Sequence, residues 1–338
     1  MQQNKKVFIL GSEGTGWSID KDRQYTIQAI ESIDGFEITK NIFKANIIYA
    51  IWWDRLTNTK FKVFNTIFKK KVVAAITSDL SHQEDKIKSL QSYVDIFVYA
   101  NSKQKNKLLE LGINKDNLYF NPFYVDEKIF KKLLISKEEM CDKFRIDYNK
   151  IKEKILIGSF QRDSLGSDLS KPKWQKDPDI LIEIMRKLDK EIFILLLVGP
   201  RRHYIVNQCR KYDIEYIFIG DSSYIDNNLD DIDVNALSIE NMPYLYNLID
   251  IYIVSSKSEG GPKAIPESVL CGINILSTDV GFAKDLLDKE FIYNNSDEAI
   301  LKINNINNES TIKSNIDKYY SFHLFSQRIE NILKAVIK

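Results

Sequence analysis

Short apolar runs alternate with longer amphipathic stretches along most of the chain. The first series has the runs KVFIL, NIIYAIW, KVVAAIT, DIFVYA and NLYF, and the stretches between them, residues 21–32, 57–68, 83–92 and 102–111, have helical periodicity. A second series has the runs KILIGSF, FILLLVG, IEYIFIG, DIYIVSS and INILST, with helices predicted at residues 178–188, 203–211, 241–248 and 263–271. This alternation predicts an α/β protein with parallel, doubly wound sheets.

The pattern breaks near residues 124–150, where a Lys- and Glu-rich helical stretch separates the two series. A chain of 338 residues exceeds one ordinary core, so we expect two Rossmann-like domains, residues 1–135 and 150–318, facing across a cleft. The last helical stretch, residues 319–338, is expected to pack back on the first domain. Ligands of doubly wound sheets bind at the carboxyl ends of the strands, which directs attention to the loops at residues 11–17, 159–176 and 255–267.

Composition supports a globular protein, because 44% of the residues are hydrophobic and 28% are charged. The longest apolar run, residues 192–198, is too short to span a membrane, and the N-terminus MQQNKKVFILG lacks the apolar region of a secretory signal. The three cysteines are widely spaced and odd in number, which is typical of reduced thiols. These features predict a cytoplasmic protein.

Charge is distributed unevenly between the two halves of the chain. Residues 1–150 carry 25 Lys and Arg against 19 Asp and Glu, a net charge of +6, whereas residues 151–338 carry 23 against 28, a net charge of −5. The densest basic cluster consists of Lys60, Lys62, Lys69, Lys70 and Lys71. It is consistent with an anionic acceptor, with peripheral contact to the anionic inner face of a membrane, or with a solvated lysine-rich surface. Duplex-binding motifs are missing, so no nucleic-acid partner is expected.

The segment SEGGPKAIPES, residues 258–268, combines two glutamates, a double glycine and two prolines directly after a predicted strand. Proline is tolerated only in the first turn of a helix, so Pro266 places the helix start near Pro262 or Lys263. The glycines then let a ligand approach bare backbone N–H groups, which favour a phosphate. Carboxylates would repel that phosphate unless they accept hydrogen bonds from sugar hydroxyls. A ligand with both parts is a nucleotide sugar.

This segment, within SKSEGGPKAIPESVLCGINILSTDVG, resembles the E-x7-E segment of the retaining GT-B glycosyltransferases, the large family numbered four (glycosyl transferases group 1). GSFQRD and KPKWQKDPDILIEI are similar to the family's Arg and Lys segment, and NMPYLYNLIDIYIVSS and NPFYVDEKIF are similar to two further segments. Together these motifs cover residues 121–287 in the family's order.

The resemblance implies a hexosyltransferase of the EC 2.4 class. It would move a hexose-type sugar from a nucleotide diphosphate sugar to a hydroxyl of a glycan, lipid-linked or other acceptor, with no cofactor and no metal. By resemblance the catalytic residues are Glu259, Arg162 and Lys176. The donor-binding residues are Glu267, for the ribose hydroxyls, with Gly260, Gly261, Pro262, Lys263, Lys173, Gly14 and Gly16.

Two departures from the family's pattern leave assignments open. The insertion SLGSDLSKPKWQ lengthens the spacing between Arg162 and Lys176, so Lys173 competes with Lys176 for the diphosphate, although Lys176 directly precedes the matching helix. The first-domain histidine of many family members is replaced by Ser78 and Asp79, with His82 nearby. These three residues and Trp17 are the candidates for the acceptor or sugar side.

Three alternatives compete with this interpretation. A metal-dependent transferase would need an Asp-x-Asp pair after a buried strand; the pairs beginning at Asp20, Asp177 and Asp231 do not follow one as such a site requires. A dinucleotide-dependent oxidoreductase is suggested by GSEGTG, but its glycines have the wrong spacing. A non-catalytic protein that binds a nucleotide sugar fits the changed histidine position.

Overall fold

The computed structural model describes residues 4–12, 14, 18–306, 316 and 320–338. The strands are β1 (Lys5–Leu10), β2 (Phe36–Ile38), β3 (Ile47–Ala50), β4 (Lys71–Ala75), β5 (Ile96–Tyr99), β6 (Leu118–Phe120), β7 (Ile155–Ser159), β8 (Ser164–Leu165), β9 (Asp168–Pro172), β10 (Phe193–Val198), β11 (Tyr216–Ile219), β12 (Ile251–Val254), β13 (Asn274–Thr278) and β14 (Ile292–Tyr293).

The α-helices are α1 (Ser18–Glu31), α2 (Thr59–Phe68), α3 (Glu84–Leu90), α4 (Ser102–Glu110), α5 (Lys137–Phe144), α6 (Tyr148–Ile151), α7 (Pro178–Lys187), α8 (His203–Lys211), α9 (Ser222–Asp226), α10 (Met242–Leu248), α11 (Ala264–Leu270), α12 (Ala283–Leu286), α13 (Ser296–Asn305) and α14 (Phe322–Val336). Short 3₁₀ helices lie at Ile42–Lys44, Trp53–Thr57, Lys115–Asn117, Trp174–Lys176 and Lys289–Phe291.

The chain divides into two compact units, one formed by Met1–Asp126 with Asp317–Lys338 and the other by Glu127–Ile316. In the first unit a parallel sheet has the order β2-β1-β3-β4-β5-β6. Helix α14 belongs to this unit because its apolar face, including Phe325, Ile329 and Leu333, is buried in one core with residues of β1 and α1. The other side of the sheet packs on a second core, which includes Trp53, Leu56 and Phe61.

The second unit is built on a parallel sheet with the order β11-β10-β7-β12-β13-β14. In chain order this is 3-2-1-4-5-6, so the direction of winding reverses between β7 and β12. The inner strand β10 is buried along its whole length, which explains why FILLLV has no polar alternation. The carboxyl ends of β7 and β12 therefore form the switch point at which open α/β sheets bind their ligands.

Residues 127–135, which the sequence analysis placed in the first domain, belong to the second unit. The backbone N–H of Leu133 donates a hydrogen bond to Asn247 Oδ1 at 2.9 Å, and Phe130 packs edge-on against Tyr246. Lys137, at the start of α5, forms an ion pair with Asp250 at 2.6 Å. These contacts to α10 and the start of β12 fix the segment there, whereas the break in the apolar pattern indicated only that a boundary was near.

Several elements of the second unit were not predicted from the sequence, among them the β8–β9 hairpin and helices α9 and α13. The segment SLGSDLSKP between Arg162 and Lys176 folds as an antiparallel hairpin of β8 and β9, with Ser164 opposite Pro172. Helix α13 follows β14 and packs against α7. The hairpin matters for the site because it lies between Arg162 and Lys173 in the sequence. At its end the chain returns to Asp163, beside Arg162.

Among the residues that the structure describes, no helix is long and apolar enough to cross a membrane.

Candidate active site

Three loops of the second unit, at the carboxyl ends of β7, β10 and β12, carry several of its charged residues. Gln161, Arg162 and Asp163 follow β7, Arg201 and Arg202 follow β10, and the segment from Ser255 to Lys263 follows β12. Because β7 pairs with both β10 and β12, the three loops are neighbours. The sheet topology thus brings together residues that lie about 100 positions apart in the sequence.

Lys176 and Glu259 form the central ion pair of this group. Lys176 Nζ lies 2.6 Å from Glu259 Oε1, and both side chains are largely but not fully buried, with exposures of 20% and 17%. The Ser256 hydroxyl also donates a hydrogen bond to Glu259 Oε1, at 2.5 Å. The Lys176 carbonyl accepts from the Ser255 hydroxyl at 2.7 Å, which ties the 3₁₀ helix Trp174–Lys176 to the end of β12. Two residues that follow β12 therefore fix the ion pair, Ser255 by its hydrogen bond to Lys176 and Ser256 by its hydrogen bond to Glu259.

Lys173 adds a further positive charge to the same place. Burial lowers the pKa of Lys173, and the charges of Arg162 and Lys176 lower it further, whereas Glu259 acts in the opposite direction. Arg162, Lys173 and Lys176 thus lie within electrostatic range of one another, with the Glu259 carboxylate beside them, while the nearby Asp163 carboxylate is paired with Arg202. Such an excess of positive charge in a partly buried place favours a bound anion.

The β8–β9 hairpin explains how Lys173 reaches this position. The backbone N–H of Lys173 donates to the Asp163 carbonyl at 2.6 Å, so the chain leaves and re-enters the site at adjacent residues. The Arg201 guanidinium lies over the hairpin at Gly166, where a Cβ atom would be only 2.5 Å from Arg201 Nη1. Arg201 is itself fixed by paired hydrogen bonds to Asp230, at 3.0 and 2.7 Å. The alternatives Lys173 and Lys176 are not exclusive, since the structure brings both to the site.

A buried ion pair supports the loop that carries Arg162. Arg202 and Asp163 are both fully buried, with Arg202 Nε 2.8 Å from Asp163 Oδ2. Arg202 also donates hydrogen bonds to the Gln161 carbonyl and to the Ser159 hydroxyl. Burial raises the pKa of Asp163 to about 6, although the charges of Arg202 and Lys176 oppose this shift. One guanidinium from the end of β10 thus holds the residues on both sides of Arg162.

Glu267 lies on α11 and is held by a buried tyrosine. The Tyr246 hydroxyl donates a hydrogen bond to Glu267 Oε2 at 2.7 Å, and Tyr246 packs against Phe160 and Tyr252 with ring centroids 5.2 and 5.4 Å away. Burial raises the pKa of Glu267, while the Tyr246 hydrogen bond and the nearby Lys263 charge lower it. An aromatic cluster therefore fixes the orientation of this carboxylate.

The charges of Glu259 and Glu267, the two glutamates of the E-x7-E segment, both affect the pKa of Tyr252. Burial raises the pKa of the Tyr252 phenol, a hydrogen bond from the Phe160 backbone N–H opposes the rise, and the charges of Glu267 and Glu259 add to it. Tyr252 is buried on β12, and its hydroxyl accepts a hydrogen bond from the Phe160 backbone N–H, directly after β7, at 3.1 Å. Helix α11 begins at Ala264 with Lys263 as its N-cap residue, and Pro266 is in its first turn, as the sequence predicts.

The loop of Gly260, Gly261 and Pro262 passes close to Gly281. A Cβ atom on Gly281 would lie 2.8 Å from both Gly261 Cα and Pro262 Cδ, and Gly281 has a φ of +52°. These close contacts with backbone and a proline ring leave no room for a side chain at position 281. Gly281 thus sets the position of the double-glycine loop.

We expect Gly281→Ala to weaken donor binding by displacing this loop. Strain of about 1–3 kcal/mol at the site predicts a loss of affinity for the nucleoside diphosphate of about tenfold or more. Gly272→Ala is the matched control, because Gly272 also has a positive φ, +73°, yet its nearest neighbour is the end of the Lys132 side chain at 3.9 Å. Titration calorimetry and thermal unfolding of both variants test the prediction, which fails if the two lose affinity equally.

The first-unit candidates are described only in part. Gly16 and Trp17 lie outside the described residues, and Gly14 is exposed with a φ of +73° and donates its N–H to Ser12 Oγ. Ser78 Oγ accepts a hydrogen bond from Trp53 Nε1 at 3.1 Å. Asp79 accepts from both the N–H and the hydroxyl of Ser81, each at 3.0 Å, and His82 is exposed with a φ of +67°. The first-unit loop after β4 is therefore ordered by its own side-chain hydrogen bonds.

Sequence reasoning missed three residues that shape the second-unit site, Gln161, Asp163 and Tyr246. Arg201 and Arg202 directly follow the apolar run LLLVGP, so they lie at the end of a predicted strand, where phosphate contact, helix capping and surface exposure are equally compatible with the sequence. The structure shows Arg202 buried and paired with Asp163, and Arg201 paired with Asp230. Nothing in the sequence indicated that the Tyr246 hydroxyl would donate a hydrogen bond to Glu267.

The Asp-x-Asp pairs are engaged in other contacts. Asp177 is buried and pairs with Lys257 at 2.9 Å, and Asp231 accepts from the Arg201 N–H at 2.7 Å. Asp20 accepts from the Ser12 hydroxyl at 2.6 Å. Within the part of the chain that the structure describes, no group of three or more His, Cys, Asp or Glu side chains could hold a metal ion.

The architecture is that of the GT-B glycosyltransferases, with two Rossmann-like domains, each built on a six-stranded parallel sheet. It is similar to HepE of Anabaena, solved with UDP and glucose, with a TM-score of 0.74 and 13% identity over 98% of this chain and 100% of that one. It is also similar to sucrose-phosphate synthase of Thermosynechococcus elongatus, with a TM-score of 0.71 and 11% identity over 99% of each chain. A glycosyltransferase of Rickettsia africae has a TM-score of 0.61 and 14% identity over 99% and 96% of the two chains.

The sequence itself gives a more specific match. Residues 170–319 match the model of the family described as glycosyl transferases group 1. No curated protein matches the chain significantly. The family match covers most of the second unit, and together with the fold it makes this protein a glycosyltransferase enzyme.

Proposed function

We propose that the protein transfers a hexose-type sugar from a nucleotide diphosphate sugar to a hydroxyl of a glycan, lipid-linked or other acceptor. The reaction proceeds with retention of anomeric configuration and without a metal. The observation that carries the proposal is the cluster of Arg162, Lys173 and Lys176 around Glu259 at the switch point of the second sheet. The structures of HepE with UDP and with UDP-glucose support a donor of this class.

The basic cluster would serve the leaving group. As the bond between the sugar C1 and the diphosphate oxygen breaks, negative charge develops on the diphosphate. C1 bonds to the acceptor oxygen, and the acceptor hydroxyl gives its proton to the departing diphosphate. Fixed cations stabilise that charge without reorganisation, which is the main way that preorganised sites lower a barrier. We assign this role to Arg162 and Lys176, assisted by Lys173 and by backbone amides near Gly260 and Gly261.

The two glutamates would bind hydroxyls. Glu267, oriented by Tyr246, accepts hydrogen bonds from the ribose, because one of its oxygens is already fixed and burial strengthens such bonds. Glu259 contacts the transferred sugar from its position beside Lys176, where its charge is compensated. Retention is proposed from the resemblance of the E-x7-E segment to retaining enzymes, and no carboxylate is assigned as a covalent nucleophile.

Metal independence is part of the same proposal. Transferases that use a divalent cation need it to neutralise the diphosphate, and three basic side chains can supply that charge here. Activity should therefore survive a chelator such as EDTA. Loss of activity in EDTA, restored by manganese, would favour the metal-dependent alternative.

The cellular location is proposed on separate grounds. Cys141, Cys209 and Cys271 are buried and unpaired with one another, as in proteins of reducing compartments. We propose a cytoplasmic enzyme that contacts the inner membrane face peripherally.

Nucleotide binding tests the proposal most directly. We expect UDP, other nucleoside diphosphates or their sugars to raise the melting temperature of the wild type, since a ligand at 100 times its Kd adds about 2.7 kcal/mol. Glu267→Ala and Arg162→Ala should abolish most of the shift, while Lys171→Ala, on the same hairpin and exposed, should leave it unchanged. If no nucleotide shifts the wild type, the proposal is wrong. Binding without donor hydrolysis or transfer in an acceptor screen would instead indicate the non-catalytic alternative.

A further inference from the structure

Helix α2 and the 3₁₀ helix Ile42–Lys44 expose an unusual set of apolar side chains in the first unit. Phe43, Val63, Ile67 and Phe68 are 60%, 55%, 66% and 44% exposed. A single exposed apolar residue needs no explanation, but four neighbouring ones indicate a surface that is covered in use.

The aromatic side chains of this apolar patch pack together, with the half-buried Phe64 among them. Phe43 lies edge-on against Phe64 and Phe68, with ring centroids 5.5 and 5.3 Å away, and Phe64 lies 4.8 Å from Phe68. The Lys70 ammonium donates to the Phe43 carbonyl at 2.9 Å, which joins the 3₁₀ helix to the end of α2. The patch is therefore a fixed feature of the fold.

The orientation of α2 explains why the patch faces outward. Its core side carries Phe61 and Asn65, which are buried. Lys60, Val63 and Ile67 are spaced three and seven residues apart, so they share a face of the helix that points away from this core. The exposed fractions of Val63 and Ile67 agree with that geometry.

The surroundings of the patch are strongly basic. Residues 38–78 contain eight Lys and Arg against a single acid, Asp54. Asp54 pairs with Lys86, which lies outside this segment, and among the basic residues Lys71 pairs with Asp95. Lys44, Lys60 and Lys69 are exposed beside the apolar side chains.

We propose that this surface, Phe43, Lys44, Lys60, Val63, Ile67, Phe68 and Lys69, docks on a membrane that contains anionic lipids. Apolar side chains that insert at the headgroup boundary, ringed by lysines that bind anionic headgroups, are the two requirements for interfacial attachment. A second copy fits the surface less well, because two basic faces would repel each other. The proposal rests on the peripheral membrane contact proposed above and deepens it by naming the surface and the lipid class, and it does not require the transfer reaction to be correct.

Vesicle co-sedimentation of the full chain without nucleotide tests the proposal. We expect binding to vesicles of phosphatidylcholine with phosphatidylglycerol and little binding to phosphatidylcholine alone. Val63→Ser/Ile67→Ser should reduce the affinity at least tenfold through lost insertion, and Lys60→Glu/Lys69→Glu should reduce it about tenfold or more through lost charge attraction. Leu301→Ser and Lys115→Glu, which change exposed residues elsewhere, are the matched controls and should bind as the wild type does.

Thermal unfolding and nucleotide-induced stabilisation of each variant check that it is folded, independently of lipid. The proposal is overturned if the wild type does not bind anionic vesicles, or if the apolar double variant binds as well as the wild type, which would indicate adsorption by lysines alone. A concentration-dependent dimer that the apolar substitutions abolish, without vesicle binding, would assign the surface to a second copy instead.

Discussion

Replacing Lys176 with alanine is expected to lower kcat by about 10²- to 10³-fold, the usual cost of removing one preorganised group that stabilises developing charge. Lys176 is partly buried and paired with Glu259, so its ammonium is held in place before the donor binds. The charge on the diphosphate is larger in the transition state than in the bound donor. Turnover should therefore fall more than the affinity for nucleoside diphosphate.

Two further variants separate this role from a structural one. Lys176→Arg keeps the charge and should retain more activity than Lys176→Ala, and Lys171→Ala should stay within about twofold of the wild type, as is usual for an exposed surface residue. Steady-state kinetics and calorimetric titration with the same nucleoside diphosphate provide the two quantities. A variant whose kcat is unchanged while its KM rises would show that Lys176 binds the ground state and the transition state equally, which contradicts the proposed role.

Replacing Arg202 with methionine is expected to lower the free energy of unfolding by about 3–5 kcal/mol, because it leaves the Asp163 carboxylate buried without its partner. Arg202 also donates hydrogen bonds to Ser159 and Gln161, so the loop that carries Arg162 loses its support. Denaturant unfolding of the variant measures the loss. Arg202→Met/Asp163→Leu removes both charges and should recover most of the stability; if it is no more stable than Arg202→Met, the ion pair is not the cause.

The same pair predicts a dependence on pH. The pKa of Asp163 is raised from 3.8 to about 6 in the folded protein, so between these values the folded state binds a proton that the unfolded chain does not. The stabilisation from this group is complete below about pH 4 and is lost as the pH rises through about 6. Relative to Asp163→Asn, the wild type should thus lose stability between pH 4 and pH 7. A constant difference between the two proteins across this range would contradict the raised pKa.

The sequence predicted those parts of the molecule that local chemistry determines. Continuous apolar runs such as FILLLV can be satisfied only in a strand covered on both sides, and Pro266 restricted the start of α11 to a few residues. The loops with Arg162, Lys176 and Glu259 were found because each follows a predicted strand or precedes a predicted helix. Their roles in catalysis stay predictions.

What the sequence did not indicate depends on contacts between distant residues. Asp163 and Arg202 meet because β7 and β10 are adjacent, a fact of sheet order that no periodicity contains. The β8–β9 hairpin has only two residues in its first strand and few apolar side chains, so its pairing depends on Arg201 and on the Ser164 hydroxyl, which accepts from the Tyr204 N–H. The first-domain boundary was misplaced for the same reason, since Asn247 and Asp250 hold residues 133–137 from more than 100 positions away.

The hairpin between Arg162 and Lys176 leaves and returns through residues joined by one backbone hydrogen bond, and its tip at Gly166 and Ser167 is exposed. The chain at this exposed tip can therefore be lengthened while Ser164 keeps its hydrogen bond with Tyr204 and Lys173 keeps its hydrogen bond with Asp163. Such a change in the length of the tip would leave the Lys176–Glu259 ion pair unaltered, because neither residue belongs to the hairpin.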